Sequence, residues 1–162
     1  MSELAPIQPS IRTFFTFRAQ GRLYGIDVEQ IREVSTHVAV TPVLQAPPIV
    51  RGLTNLRSRI HLVLDLGPAL GLPPPEAGEG SRLIVLKPGV AEDLGLFADC
   101  GGDIVPVRPE AIEEASSQEP DSTDAHVEGR ASPVVGVCKL DAELMMIIDP
   151  ARVINAMENA IR

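Results

Sequence analysis

Few side chains in this sequence have the types and spacing needed for acid–base chemistry. His61 stands four positions before Asp65 in a segment of alternating apolar residues, so both side chains are expected on one face of a strand. A histidine and a carboxylate placed in this way could act together as an acid and a base. We favour instead a histidine on the solvent-facing side of a strand, and we predict no catalytic residue.

Cys100 is the candidate for nucleophilic or redox chemistry. It lies between Asp99 and Asp103 in the sequence. A small hydrolase or redox enzyme would need Cys100, His61 or Asp99 within about 3 Å of one another. Turn formation explains the two aspartates better than catalysis does, because Asp side chains stabilise turns. The other cysteine, Cys138, is far away in the sequence, and free thiols of this kind are typical of a cytosolic protein.

Motifs that would hold a metal ion, a phosphate or a cofactor are missing from the sequence. There is no GxSxG elbow, no GxxxxGK[ST] phosphate loop, no HExxH and no GxGxxG before a helix. His126 lies within an acidic run from Asp121 to Glu128, but Thr and Ala occupy positions at which a calcium loop needs its oxygen ligands. The sequence therefore predicts neither a metal site nor a cofactor.

The charge distribution argues against nucleic acid as a partner. The formal net charge is −8 at pH 7, and the segment from Glu113 to Arg130 contains six acids and only one base. Phosphate binding needs clustered Lys and Arg, whereas the main gathering of basic residues here is Arg51, Arg57 and Arg59. No apolar run approaches the ~18 residues of a membrane span, so no membrane insertion is expected.

The composition of the chain predicts many short strands. Hydrophobic residues make up 44% of the chain but aromatic residues only 3%, so the core must be aliphatic, and the β-branched Val and Ile favour strands. The 15 Pro and 13 Gly add frequent turns. We predict about ten strands in two sets of five, a pattern that favours small barrels packed together. The predicted strands are 13–19, 22–26, 34–41, two within 47–66, 83–87, 94–98, 104–108, 134–140 and 143–149.

Helices, turns and loops complete this outline. Asp27 is expected to cap a short helical turn after the second strand, and Asp149 with Pro150 opens a C-terminal helix. The chain is predicted to turn between Cys100 and Asp103. The predicted boundaries are a disordered lead at 1–12, a first subdomain at about 13–66, a linker at 67–80, a second subdomain at about 81–149 that includes an acidic loop at 113–133, and the helix at 150–161.

The segment 47–66 is the most distinctive part of the chain. It is predicted to form two strands joined by a polar turn. The residues at the tip of this turn are Asn55, Arg57, Ser58 and Arg59. Such polar groups beside apolar strands suit contact with another protein, and they lack the parts needed to break a bond. Glu33 and Arg57 are either solvated apart or joined in a two-pronged ion pair that fixes the guanidinium.

Two stretches of the sequence resemble the CheW-like coupling proteins of bacterial chemotaxis. They are LYGIDVEQIREV at 23–34 and PPIVRGLTNLRSRIHLVLDL at 47–66, which follow the family patterns YGIDI-x-x-V-x-EI and P-x-x-I-x-GV-x-NLRG-x-I-x-P-VDL. The resemblance extends more loosely over 13–160. The sequence departs from the pattern at Ser58, where the family has Gly, and in the length of its acidic segment. The matching positions are Tyr24, Gly25, Ile26, Asp27, Glu33, Gly52, Asn55, Leu56, Arg57, Ile60, Asp65 and Leu66.

The resemblance implies a fold, a role and a set of contact residues. The implied fold is two five-stranded SH3-like barrels sharing an apolar core, with a short helix after strand two and a C-terminal helix. The implied role is that of a non-enzymatic adaptor in the cytoplasm, at membrane-associated receptor arrays. It would link the cytoplasmic tip of methyl-accepting chemoreceptors to a CheA-type histidine kinase, and Glu33 would form a bridge with Arg57. The implied receptor-contact positions are Ile31, Glu33, Thr41, Gly52, Arg57 and Gly95.

Three other functions stay open at this point. The adaptor could serve a pilus pathway or another non-flagellar pathway. It could also bind the kinase without a receptor and so inhibit assembly of the array. The remote alternative is a small hydrolase that uses Cys100 and His61.

Overall fold

Two β-sheets and two α-helices make up the fold, described by a computed structural model over residues 10–36, 38–74, 78–114 and 132–161. The elements in chain order are β1 (Arg12–Ala19), β2 (Arg22–Asp27), a 3-10 turn (Val28–Gln30), β3 (Ile31–Ser35), β4 (Val50–Leu56), β5 (Arg59–Asp65), α1 (Leu66–Ala69), β6 (Arg82–Leu86), β7 (Leu94–Ala98), β8 (Cys100–Val107), a 3-10 turn (Pro109–Ala111), β9 (Ile112–Glu114), β10 (Val134–Lys139), β11 (Leu144–Ile148) and α2 (Pro150–Ile161). The six-stranded sheet has the order β8-β1-β2-β11-β10-β9, and the five-stranded sheet has the order β3-β6-β7-β5-β4.

The two sheets face each other across one apolar cluster, the shared core. Phe17 and Ile26 of the six-stranded sheet and Leu64 and Leu96 of the five-stranded sheet are fully buried in it, and α2 adds Val153. Because side chains alternate along a strand, each sheet also encloses a smaller apolar cluster of its own on the opposite face. The predicted mainly β fold, with two SH3-like units around a shared apolar core, is confirmed.

The sheets differ from the prediction in their closure and strand count. Their hydrogen-bonded ladders are open rather than closed barrels. One sheet has six strands instead of five because the chain at Ile112–Glu114 pairs with β10. Glu113 and Glu114 were expected to begin the acidic loop, and the remainder of that loop, 115–131, lies outside the described residues. Residues 1–9 of the predicted lead also lie outside them.

The two sheets do not coincide with the two halves of the sequence. β1 and β2 lie in the six-stranded sheet with β8 to β11, whereas β6 and β7 lie in the five-stranded sheet. Two parallel pairings, β2 with β11 and β5 with β7, join strands that are distant in the sequence. Each of the predicted subdomains, 13–66 and 81–149, therefore contributes strands to both sheets, and their bounds stay a prediction. The alternation of apolar residues predicts where a strand lies, but it does not predict which strand will pair with it.

Two further strand predictions need correction. The third strand, predicted at 34–41, is β3 at Ile31–Ser35. The predicted turn from Cys100 to Asp103 is part of β8, which pairs with β1. A shift of register between Phe15 and Phe17 accommodates that pairing, and such a bulge leaves no mark in the apolar pattern of the sequence.

The predicted helix-capping residues are found where expected. The Asp27 carboxylate accepts a hydrogen bond from the N–H of Glu29 at the 3-10 turn. α2 begins at Pro150, and the Asp149 carboxylate accepts a hydrogen bond from the N–H of Ala151 at 3.0 Å. Both helical segments therefore begin after an Asp in the cap position, where the carboxylate oxygen accepts a hydrogen bond from an otherwise unpaired N–H.

A glycine lets the segment at Thr41 cover the outer edge of β4. Thr41 and Leu53 exchange backbone hydrogen bonds of 2.8 and 2.9 Å. Gly52 lies where the Thr41 segment approaches β4, and it has a φ of +151°. A Cβ on Gly52 would collide with the Thr41 carbonyl oxygen. Only glycine permits this close approach together with that backbone angle.

One ion pair is buried where β4 begins and β5 ends. The Arg51 Nη1 donates to the Asp65 Oδ1 at 3.0 Å, and the two side chains are only 20% and 6% exposed. The Arg51 guanidinium carbon also lies 3.8 Å from the centre of the Phe97 ring. Burial raises the pKa of the Asp65 carboxyl, and the hydrogen bond from Arg51 opposes this rise. Arg51 therefore offsets part of the cost of burying a carboxylate.

We expect Gly52→Ala to destabilise the fold by about 2–4 kcal/mol, because the methyl group meets backbone atoms and the positive φ disfavours alanine. Gly89→Ala is the matched control, since a Cβ at Gly89 has no neighbour within 4 Å, and its effect should stay within about 0.5 kcal/mol. Urea denaturation measures both free energies of unfolding. Equal stability of the two variants would contradict the role given to Gly52.

Arg51→Met should destabilise the protein by about 3–5 kcal/mol near pH 7, because it removes a donor from a buried carboxylate. Without Arg51, the pKa of Asp65 in the folded state rises further above its value in the unfolded state. The loss of stability therefore grows as the pH rises from the unfolded-state pKa through the folded-state pKa, and it shrinks on acidification. Urea denaturation at about pH 4.5 and about pH 7 tests this sign. The double variant Arg51→Met/Asp65→Asn has no carboxyl group to ionise at position 65, so its loss of stability should be equal at the two pH values. A pH-independent loss in the single variant would be the contrary result.

Candidate functional site

The hairpin tip, residues 55–60, is the exposed end of β4 and β5. Its turn residues Arg57 and Ser58 have φ of 51° and 66°. This is the pattern of a type I′ turn, in which Asn and Gly are the preferred residues. The pairing of Leu56 with Arg59 closes the turn. Arg and Ser each cost roughly 1 kcal/mol in this left-handed conformation, so the backbone holds Arg57 in a set direction at some expense of stability.

An ion pair joins the hairpin tip to β3. The Arg57 Nη2 donates to the Glu33 Oε2 at 2.7 Å. Glu33 belongs to one edge strand of the five-stranded sheet, whereas Arg57 directly follows the other edge strand, so the sheet curls and its two edges meet at this pair. The Glu33 side chain is 22% exposed and the Arg57 side chain 74%. The carboxylate is the sheltered anchor, and the guanidinium is the group that faces solvent.

Arg59, on the other side of the turn, is tied down by two contacts. Its Nε and Nη2 each donate to one carboxylate oxygen of Asp93 at 2.9 Å, and this hydrogen bonding lowers the pKa of Asp93. Asp93 has a φ of 51°, and its carbonyl oxygen accepts a hydrogen bond from the N–H of Leu62. Nothing in the sequence pointed to Asp93, which lies 34 residues from Arg59.

His61 lies inside the sheet beneath this pair rather than on the solvent-facing side as predicted. It is 4% exposed, because the curled five-stranded sheet encloses this face of β5. Its Nδ1 is 3.1 Å from the Arg59 carbonyl oxygen, and its Nε2 is 3.9 Å from the Asp93 Oδ1. His61 therefore supports the hairpin tip from below.

The other predicted contact residues fall into an accessible and a buried group. Thr41 is exposed beside β4, and Ile31 is half-buried at the start of β3, where it packs against the shared core. Gly52 and Gly95 are buried. Gly95 lies in β7 between β5 and β6, and a Cβ there would be 2.6 Å from the Leu83 Cδ1. Gly52 therefore allows a close backbone approach, Gly95 leaves room for the Leu83 side chain, and neither glycine forms part of the exposed surface.

Sequence reasoning missed two apolar side chains on the outside of the hairpin. Leu53 is 39% exposed and Ile60 is 58% exposed. Leu53 pairs with Leu62 and Ile60 pairs with Asn55, so both lie on one face of the two strands. The alternating pattern places Ile60 on the same face as Leu62 and Leu64, and it does not show that Ile60 is exposed. Its closeness to the turn was the available signal, because the end of a hairpin extends beyond the layer that covers its middle.

The candidate catalytic groups do not meet. His61 lies inside the five-stranded sheet, whereas Cys100 is exposed on β8 at an edge of the six-stranded sheet. Asp99 lines an open hollow of about 340 Å³ between β1, β7 and α1, and neither His61 nor Cys100 takes part in its walls. Among the described residues, no hydrogen bond or ion pair joins any two of these three side chains.

The described part of the chain contains neither a metal-binding cluster nor a membrane-spanning helix. No group of three His, Cys, Asp or Glu residues within it could hold a metal ion. The acidic run around His126 lies outside the described residues. No helix in the described ranges is long and apolar enough to cross a membrane. Cys138 is fully buried, and burial raises the pKa of its thiol.

Comparisons with known proteins agree on one family. The family described as "CheW-like domain" matches residues 13–158. "Chemotaxis protein CheW" of Bacillus subtilis (strain 168) is 28% identical over 139 residues, which covers 86% of this chain and 84% of that protein. The protein of the same name from Klebsiella aerogenes is 24% identical over 148 residues, which covers 91% of this chain and 84% of that protein.

A solved structure is similar across most of the fold. The crystal structure of scaffolding protein TtCheW from Thermoanaerobacter tengcongensis matches with a TM-score of 0.71 and 26% sequence identity, covering 86% of this chain and 90% of that chain. The resemblance noted in two sequence segments is confirmed by these independent matches. The chain therefore belongs to the CheW-like domain family of chemotaxis scaffold and adaptor proteins.

Proposed function

We propose that this chain is a non-enzymatic adaptor that couples the cytoplasmic tip of methyl-accepting chemoreceptors to a CheA-type histidine kinase. The observation that carries this proposal is the exposed Arg57, held by the sheltered Glu33 at a strained turn. An exposed ion pair contributes only ~0–1 kcal/mol to stability, so stability alone explains the arrangement poorly. Backbone strain concentrates at functional sites. Membership of the CheW-like family supports the adaptor role.

The proposed receptor face combines an apolar and a polar part. Ile31, at the start of β3, offers a half-buried apolar surface, and Glu33, two residues further along the same strand, holds Arg57. A helical receptor tip would lay its apolar side against the first part and meet the guanidinium with a polar group. This division lets burial supply affinity while the fixed hydrogen-bonding groups set orientation.

The remaining family positions act on this face in different ways. Thr41 is exposed and available for contact. Gly52 acts indirectly, because its missing side chain allows Thr41 to pair with β4. Gly95 acts from beneath, because its missing side chain leaves room for Leu83 inside the sheet.

The kinase would bind through a different surface, by pairing of one SH3-like unit with a similar unit of the kinase. Each contact can be weak when many copies assemble, because linked sites raise the effective concentration of one partner near another. The working location that follows from this role is the cytoplasm, at membrane-associated receptor arrays.

Arg57→Asn tests the receptor face. Asn is well suited to a positive φ, so this change keeps the turn and removes only the guanidinium. We expect the free energy of unfolding to change by less than about 1 kcal/mol and the Kd for a soluble receptor fragment to rise about 10-fold. Arg57→Ala should weaken binding in the same way. Calorimetric titration with the receptor fragment measures the change.

Arg18→Ala is the matched control for that titration. Arg18 is also an exposed arginine paired with a carboxylate, but it lies on β1 of the six-stranded sheet and contacts Glu143, in the turn between β10 and β11, at 2.6 Å. Its removal should leave the receptor affinity unchanged. An Arg57→Asn protein that binds the receptor fragment as tightly as the unchanged protein would refute the assignment of this face.

Co-purification from the native cell tests the adaptor role as a whole. The tagged chain should recover both a histidine kinase and a chemoreceptor. Recovery of the kinase without a receptor would favour an inhibitor of array assembly, and recovery of pilus-pathway components would favour a non-flagellar adaptor. Failure to recover either partner would overturn the proposed role.

A further inference from the structure

Arg57 uses fewer of its hydrogen-bond donors than the other exposed arginines that pair with a carboxylate. Arg12, Arg18 and Arg59 each make two contacts with their acid. Arg57 makes a single contact, from Nη2 to Glu33, although 74% of its side chain is exposed. A guanidinium carries five N–H donors in a flat fork. The Nε and Nη1 donors and the second hydrogen of Nη2 therefore have no partner among the described residues, and Nη2 with either of the other two nitrogens can hold one carboxylate.

The guanidinium of Arg57, called the fork below, is held in place before any partner binds. The left-handed backbone of Arg57 and Ser58 sets where the side chain leaves the turn. The Glu33 carboxylate then fixes one nitrogen of the guanidinium at 2.7 Å. The neighbouring Arg59 is locked by its two contacts with Asp93, so it does not compete for Glu33. A group restrained in this way loses little conformational freedom on binding.

The charges around the fork are balanced. The tip and its surroundings bring together three arginines and three acids, which are Arg32, Arg57, Arg59, Glu33, Glu92 and Asp93. An approaching anion therefore meets directed N–H groups without the repulsion expected from a chain of net charge −8. A single carboxylate fits this setting better than a doubly charged phosphate, which needs an excess of positive charge around it.

Apolar side chains lie next to the fork on the same hairpin. Ile60 follows the turn and is 58% exposed, and Leu53 on the paired strand is 39% exposed. Both lie on one face of β4 and β5. A partner that covers these side chains and also reaches the fork needs an apolar stripe with one acidic residue beside it. An amphipathic helix provides such a pattern, because residues three or four positions apart share one face.

We propose that Arg57 receives the carboxylate of one Asp or Glu on the partner helix, in a two-pronged contact, while Leu53 and Ile60 cover the apolar residues next to that acid. The proposal rests on the receptor face described above and specifies the chemistry of its partner. Glu33 acts in it as a positioning residue. The acidic residue of the partner and Glu33 hold the guanidinium from two sides.

Double-mutant cycles test the contact. Each Asp and Glu in the tip of a soluble receptor fragment is changed singly to Asn or Gln and titrated against the unchanged chain and against Arg57→Asn. One acid should cost about 5-fold or more in Kd with the unchanged chain and have no further effect with Arg57→Asn. The same acid should keep its full effect with Arg18→Ala, the matched control. Arg57→Glu combined with Lys at that acid should restore part of the lost affinity.

The outcomes separate this proposal from the one on which it rests. If Arg57→Asn weakens binding but no acid couples to it, the carboxylate contact is wrong and the receptor face stands. If Arg57→Asn leaves the affinity unchanged, the receptor face itself is wrong. If Leu53→Ser and Ile60→Ser together leave the affinity unchanged while an acid couples to Arg57, the contact stands without its apolar flank.

Discussion

The shared core constrains every other feature of this chain, because both sheets bury their inner faces against it. A short aliphatic chain with few aromatic residues gains most of its stability by enclosing Val, Ile and Leu side chains, and a sheet of five or six strands cannot do so alone. Strands from both ends of the sequence therefore lie together in each sheet. The middle of each sheet is used for packing, and the rims and hairpin ends remain for contact with other molecules.

Two arginines of the same hairpin, each paired with a carboxylate, show how burial changes the role of such a pair. Arg51 and Asp65 lie in the interior, where the pair limits the cost of a carboxylate removed from water. Arg57 and Glu33 lie at the opposite end, where water screens the pair and its effect on stability is small. The first pair holds the base of the hairpin in register. The second fixes the direction of an exposed group, which is useful only if something binds there.

Local patterns predicted most of the elements and little of their arrangement. The alternation in β5, the cap at Asp27 and the helix start at Pro150 follow from side-chain chemistry within a few residues. The burial of His61 and the contact of Asp93 with Arg59 depend on how a sheet curls, which no short window contains. The tip residues were recognised because a polar turn between apolar strands is a local signal. The contact of Glu33 with Arg57 joins residues 24 positions apart, so it follows from the family resemblance and not from any local pattern.

The parallel pairing of β2 with β11 has a consequence for how the protein is made. Leu23 emerges from the ribosome well before Met145, its neighbour in the sheet. Until then β2 has an unfilled edge, and the apolar side chains around it have no lasting cover. High contact order of this kind slows folding, since distant segments must meet before most of the burial is gained. The nascent chain thus passes through a long stage in which it is open to aggregation and to chaperone binding.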